Sequence, residues 1–171
     1  MKSGKSCVET DLHIIDKVRF AMEYAISGGI QNGKNSCHLC NQNQTLKKIA
    51  EAIGSFFNIQ AKSITEGPVL HDIDMLFIVG GIYGGVSMPE LLEYIKKIGA
   101  PLPKCAALIT SCASGRQKQI AVRDILEEKG IKVIDEFVCR GSFLFVSANH
   151  PNTKDLKAAA EFADKIVGQV N

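Results

Sequence analysis

The chain has no tryptophan, and aromatic residues make up only 6% of it. No apolar run approaches the roughly 18 residues of a membrane-spanning helix. Lysines stand near the start, at Lys2 and Lys5, but no apolar stretch follows them, so the mark of a secretory signal is absent. A surplus of one charge is missing too. Lys and Arg number 20 against 18 Asp and Glu, for a net charge of +2. That excludes the basic footprint of a typical nucleic-acid binder. It also excludes the high-charge, low-hydrophobicity profile of a disordered chain. With no signal, the expected compartment is cytoplasmic, and the six cysteines are expected to be thiols and not a disulfide framework. What remains is 171 residues, 46% of them hydrophobic, enough for one globular domain with its own core.

Two periodicities alternate along the chain. Leu46, Ile49, Ala50, Ile53 and Phe57 form a helical stripe over residues 44–56. Ile59, Ala61 and Ile64 suit a short strand. Residues 75–79 are an unbroken apolar run stopped by Gly80 and Gly81, as in a strand buried on both faces of a parallel sheet. Pro89 can open a helix whose apolar face is Leu91, Leu92, Ile95 and Ile98. Residues 105–110 form a second buried run, followed by a small polar loop over residues 111–115. A helix over residues 117–129 should end at Gly130. Ile131, Val133, Ile134, Phe137 and Val138 make another strand. Asn152 and Asp155 have the spacing of a capping box, with Asp in place of the usual Glu. They should open a last helix running to about Val167.

Strands alternating with helices imply an α/β three-layer sandwich with a parallel sheet. Ligands of such sheets bind beyond the carboxyl ends of the strands. The glycine-rich stretch after Val79 and the small-polar stretch after Thr110 lie at two such ends, where bare backbone permits close approach. Glycines that only make tight turns would read the same way.

Several segments resemble the flavodoxin family. Asp72-Ile73-Asp74, then Gly80-Gly81-Ile82-Tyr83-Gly84-Gly85, then Met88-Pro89-Glu90-Leu91 follow one family pattern. Cys139-Arg140-Gly141 and His150-Pro151-Asn152-Thr153-Lys154-Asp155-Leu156 follow another. The resemblance spans most of residues 40–168. It implies a five-stranded parallel sheet in the order 2-1-3-4-5, the doubly wound order of which flavodoxin, with FMN at its switch point, is itself the standard example. It also implies three FMN-binding loops. The phosphate loop falls on Cys40, Asn41, Gln42, Asn43, Gln44 and Thr45. Only Thr45 matches the family's residue there, and Gln42 would crowd a tight phosphate nest. The second loop is Ile82, Tyr83, Gly84 and Gly85, with Tyr83 placed to stack on the flavin. The third is Ser111, Cys112, Ala113, Ser114 and Gly115.

The family's apolar first strand has no plain counterpart. In one arrangement residues 1–33 are an N-terminal extension with a helix over about 11–27, striped by Leu12, Ile15, Val18, Met22, Ala25 and Ile26, and the domain spans 34–171. Residues 37–39 are then a short first strand. In the other, residues 18–24 are the first strand, with Val18, Phe20, Met22 and Tyr24 alternating. The helix is the favoured expectation, because Arg19 and Glu23 would otherwise enter a buried layer. Cys37 and Cys40 have C-x-x-C spacing. That fits two small residues closing a strand, a dithiol pair, or half a zinc site completed by Cys112 and His150.

The implied function is an FMN-binding electron carrier, met by a reductase and an acceptor enzyme, with no side chain in a catalytic role. Two other readings stay open. One is a flavodoxin-fold scaffold that has lost FMN. The other is a small-molecule reductase using FMN or the Cys37 and Cys40 thiols. Neither nucleic acid nor membrane is an expected partner.

Overall fold

The computed structural model describes residues 18–22, 36–66, 70, 73–141 and 149–170. Six strands and four helices occur among them. In chain order they are β1 (Val18–Met22), α1 (Ser36–Phe56), β2 (Lys62–Ser63), β3 (Met75–Tyr83), β4 (Val86–Ser87), α2 (Pro89–Lys97), β5 (Cys105–Cys112), α3 (Ile120–Glu128), β6 (Lys132–Arg140) and α4 (Thr153–Val170). The architecture is α/β, with one central sheet ordered β2-β1-β3-β5-β6. All neighbours along that path are parallel, and β4 pairs antiparallel with the end of β3.

β3 and β5 explain why both faces must be covered. Met75 through Ile82 are all buried, as are Cys105 through Cys112. Alternate residues therefore feed two cores. On one face Met75, Phe77, Val79, Ala107 and Ile109 pack with Leu46, Ile49 and Ile53 of α1 and Ala159, Ala163 and Ile166 of α4. On the other, Leu76, Ile78, Ala106 and Leu108 pack with Leu91 and Ile95 of α2 and Val122 and Leu126 of α3. Phe57 stacks on Phe77, and Phe137 on Phe162, which tie α1 and α4 to the first face.

Two expectations are corrected at the start of the chain. Residues 18–22 are a strand, where the sequence favours a helical stripe over 11–27; the rest of that stretch lies outside the described residues. The segment satisfies both periodicities, and the pairing decides between them. Val18 to Met22 pair one-to-one with Met75 to Val79, and Ala21 and Met22 also pair with Lys62 and Ser63. The segment assigned to an extension thus supplies an interior strand of the sheet. Residues 37–39, expected as a short strand, lie instead in the first turn of α1.

Element ends shift as well. Glycine does not stop β3 at residue 80; the strand runs on to Tyr83 because Gly80 to Ile82 keep pairing with Thr110 to Cys112. Ser111 and Cys112 accordingly end β5 and do not start a loop. The helix terminators agree with the sequence. Gly130, at φ +83°, closes α3 in a Schellman motif. Its N–H donates to Glu127 O at 2.9 Å, and the Ile131 N–H donates to Leu126 O at 2.9 Å. At α4, Asn152 Oδ1 accepts from the N–H groups of Lys154 (2.9 Å) and Asp155 (3.2 Å). Asp155 Oδ2 accepts in return from the Asn152 N–H at 2.8 Å. The shorter Asp thus completes the reciprocal box.

Replacing Asn152 with Ala removes the acceptor for two otherwise unpaired amides and should cost about 1 kcal/mol. Urea denaturation followed by circular dichroism measures this. An unchanged midpoint would show that the cap contributes nothing to stability.

Candidate functional site

The carboxyl ends of β3, β5 and β6 lie side by side and carry most of the expected site residues. Gly84 and Gly85 link β3 to β4 as a two-residue hairpin loop, at φ +59° and +89°. Positive φ at both central positions is the type I′ requirement, so each position calls for glycine. A Cβ on Gly84 would meet nothing within 4 Å, so the space around that backbone is open. Ile82 is buried just before the loop. The Tyr83 ring lies back along its own strand, against Gly81, where an added Cβ would sit 2.5 Å from the phenolic oxygen.

The end of β5 is tightly tied. The Cys112 carbonyl accepts from the N–H groups of Gly115 (3.1 Å) and Gly141 (3.0 Å). The Cys112 thiol is buried, 3.6 Å from Ser114 Oγ, and donates to the Gln117 carbonyl at 3.8 Å. Ser111 Oγ rests against Gly141, leaving no room there for a side chain. Gly115, at φ +65°, lies under Arg140, whose Cγ is 2.8 Å from where a Cβ would be.

Below this rim sits a buried polar cluster with no counterpart in the sequence reading. The Glu136 side chain is fully enclosed. Its Oε1 accepts from Thr110 Oγ1 at 2.6 Å and from the Gln119 N–H at 2.7 Å. The Gln119 side-chain amide donates to the same Thr110 hydroxyl at 3.1 Å. Glu136 Oε2 makes no hydrogen bond but faces the Arg123 guanidinium at 3.6 Å. Gln119 is the residue just before α3, so a buried carboxylate meets a helix N-terminus, where the dipole favours it. The Gln119 amide also presses on Gly80 of β3. One residue thereby ties the exit of the loop after β5 to β3, β5 and β6. The available signal was the Asp135-Glu136 pair interrupting an apolar run, of which Glu136 is the buried member.

The expected phosphate loop is corrected. Residues 40–45 lie inside α1, from its fifth residue onward. Their amides are committed to the helix ladder, and only the first turn of a helix has free N–H groups. These six residues therefore cannot cradle a phosphate with backbone amides. The segment joining β1 to α1, residues 23–35, lies outside the described residues. Cys37 and Cys40 fall within the first turns of α1. His150 Nδ1 is held by Asp155 Oδ2 at 2.6 Å. Among the described residues no group of three or more His, Cys, Asp or Glu could hold a metal ion.

With the geometry in hand, comparison with solved structures is decisive for the fold. A flavodoxin from the domain Archaea superposes with a TM-score of 0.57 at 14% identity, covering 90% of this chain and 98% of that one. The fold is flavodoxin-like. The Trp repressor binding protein of Bacillus subtilis gives 0.53 at 14% identity, over 85% and 96% of the two chains. Rubredoxin oxygen:oxidoreductase from Desulfovibrio gigas gives 0.55 at 14% identity, over 91% of this chain but 36% of that one. By sequence, an uncharacterized protein of Methanocaldococcus jannaschii is 28% identical over 145 residues, covering 77% of this chain and 93% of the relative. No protein-family model matches the chain. Among the described residues no helix is long and apolar enough to cross a membrane.

The flavodoxin-like rim makes two groups measurable. Replacing Glu136 with Ala strands the Gln119 N–H, the Thr110 hydroxyl and Arg123, and should cost on the order of 3 kcal/mol. Glu136→Gln keeps an acceptor and should cost less. A Glu136→Gln midpoint equal to the wild type's would remove the charge from the account, and one equal to that of Glu136→Ala would remove the acceptor. Burial pushes the Cys139 thiol up to about 12, and the Asp155 carboxylate adds to the rise. A raised folded value means that stability is intact at neutral pH and falls above about 9, where the unfolded thiol ionises and the folded one does not. Urea denaturation between pH 8 and pH 10.5 should show a steeper decline for the wild type than for Cys139→Ala.

Proposed function

We propose that the protein binds FMN at the carboxyl rim of its sheet and carries electrons as a flavodoxin-like protein. The reading rests on one observation. Two turns with glycine at positive φ, at Gly84 to Gly85 and at Gly115, stand on adjacent parallel strands, with open space beside the first. With β4 set aside, the parallel strands run 2-1-3-4-5 in chain numbering. In that order the crevice for a ligand lies where β1 and β3 diverge to opposite sides.

Residues Ile82, Tyr83, Gly84 and Gly85 would hold one side of the flavin ring, and Ser111, Cys112, Ala113, Ser114 and Gly115 the other. The open backbone at Gly84 fits a flat ring system. Tyr83 would have to lift off Gly81 to stack on it. The free amides of the first turn of α1, at residues 36–38, face the same end of the sheet and suit the phosphate. Bound FMN supplies one- and two-electron chemistry. The chain's own groups bind it, orient it and exclude water from its inner edge, and none needs to act as an acid or base. Partners would be a reductase and an acceptor enzyme, in the cytoplasm. A second reading is favoured by the helical state of residues 40–45, namely a scaffold of the same fold without FMN.

Titration of the protein into FMN separates the two by quenching of flavin fluorescence. Saturable quenching is expected. Tyr83→Ala should then weaken binding by about threefold to tenfold if the ring stacks. Absence of quenching at stoichiometric protein would leave the scaffold.

A further inference from the structure

The loop after β5 carries Arg116 and Lys118, both exposed, and Arg140 at the end of β6 joins them. The Arg140 stem lies across Gly115, which has no side chain to push it away. The stem rests there while the residue stays exposed to solvent. None of the three has an ion-pair partner among the described residues. Several cations elsewhere find carboxylates, while others, such as Lys62, Lys132 and Lys165, stand singly among the described residues. Lys104 meets Asp74, Arg123 meets Glu127 and Glu136, and Lys47, Lys96 and Lys157 meet Glu51, Glu93 and Glu161. Three cations left together at one end of the sheet therefore make a local positive field.

A second observation falls on the same rim. Among the described residues the two most exposed large apolar side chains are Ile120 at 68% and Val86 at 66%. Val86 follows the Gly84 to Gly85 loop, and Ile120 opens α3 just after the cationic loop. The loops themselves meet, since the Gln117 amide lies 3.9 Å from where a Gly85 Cβ would be. Neither apolar group helps any core. Exposed apolar residues among unpaired like charges have the anatomy of a protein-binding surface, with apolar contact area and a charged rim that steers the encounter.

We infer that this rim, formed by Val86, Ile120, Arg116, Lys118 and Arg140, is a docking surface for an acidic protein partner. The unpaired cations select carboxylates, and Val86 and Ile120 supply the desolvated contact. The near-neutral charge of the whole chain makes the effect local. That the partner exchanges electrons here rests on the FMN reading; the surface does not.

The test uses the full chain, without flavin, and a synthetic Glu/Leu peptide with its Lys/Leu counterpart. Amide shifts in NMR spectra should be confined to residues 86, 113–120 and 140–141 on adding the Glu/Leu peptide, with none from the Lys/Leu peptide. Affinity should fall about tenfold or more between low and physiological salt, as screened charges require. The triple variant Arg116→Glu, Lys118→Glu, Arg140→Glu should lose binding, and Val86→Ser with Ile120→Ser should weaken it. All four positions outside β6 are exposed, and Arg140 lies on the surface, so the variants should keep the wild-type spectrum elsewhere. Shifts scattered over other faces, or undiminished binding by the triple variant, would overturn the proposal. So would displacement of the Glu/Leu peptide by a single-stranded RNA at equal charge concentration, which would point to nucleic acid instead. A separate FMN titration tells failure of this proposal from failure of the flavin reading.

Discussion

A strand buried on both faces must be flanked by partners along both edges and roofed on both sides. β3 imposes that condition on the whole chain. Its eight buried residues from Met75 to Ile82 contribute side chains alternately to two cores. Strands β1 and β5 close its edges, and helices cover its faces in two pairs. A parallel arrangement brings each strand's carboxyl end to the same rim, so the loops gather there without any further device. The rim is a consequence of the core and not an addition to it.

That condition also explains what could be read from the sequence. β3 and β5 were legible because continuous apolar runs of this length, bounded by glycine and polar residues, have few other uses in a globular domain. Gly130 and the Asn152 to Asp155 box were legible because end signals are local chemistry. The segment 18–22 was not, since its residues satisfy a helical stripe and a strand alternation equally well. Its state follows from an open edge on β3, some fifty residues away. Nor did sequence register place residues 40–45 correctly. The pattern aligns them with a loop, while the chain continues the α1 helix back to Ser36.

The rim itself divides in the same way. Gly84, Gly85 and Gly115 were legible because positive φ leaves a mark on composition. The Thr110, Gln119 and Glu136 cluster was not, because it joins three elements far apart in the chain. Each of these residues is ordinary by itself. Only the fold brings a carboxylate from β6 to the start of α3 and under a hydroxyl from β5. Buried polar links of this kind are satisfied as a set or fail as a set. The unpaired Gln119 Oε1 shows that the set is nearly, but not wholly, complete.

The Gln119 link restricts how the rim can move. Its amide is held by a fully enclosed carboxylate, and the preceding turn is wound around the Cys112 sulfur and carbonyl. Breathing of the loop after β5 is therefore limited to a few residues between two anchored ends. These contacts oppose a swing of that loop as a unit. Adjustment falls more readily to the glycine hairpin on β3, where the space around Gly84 is open.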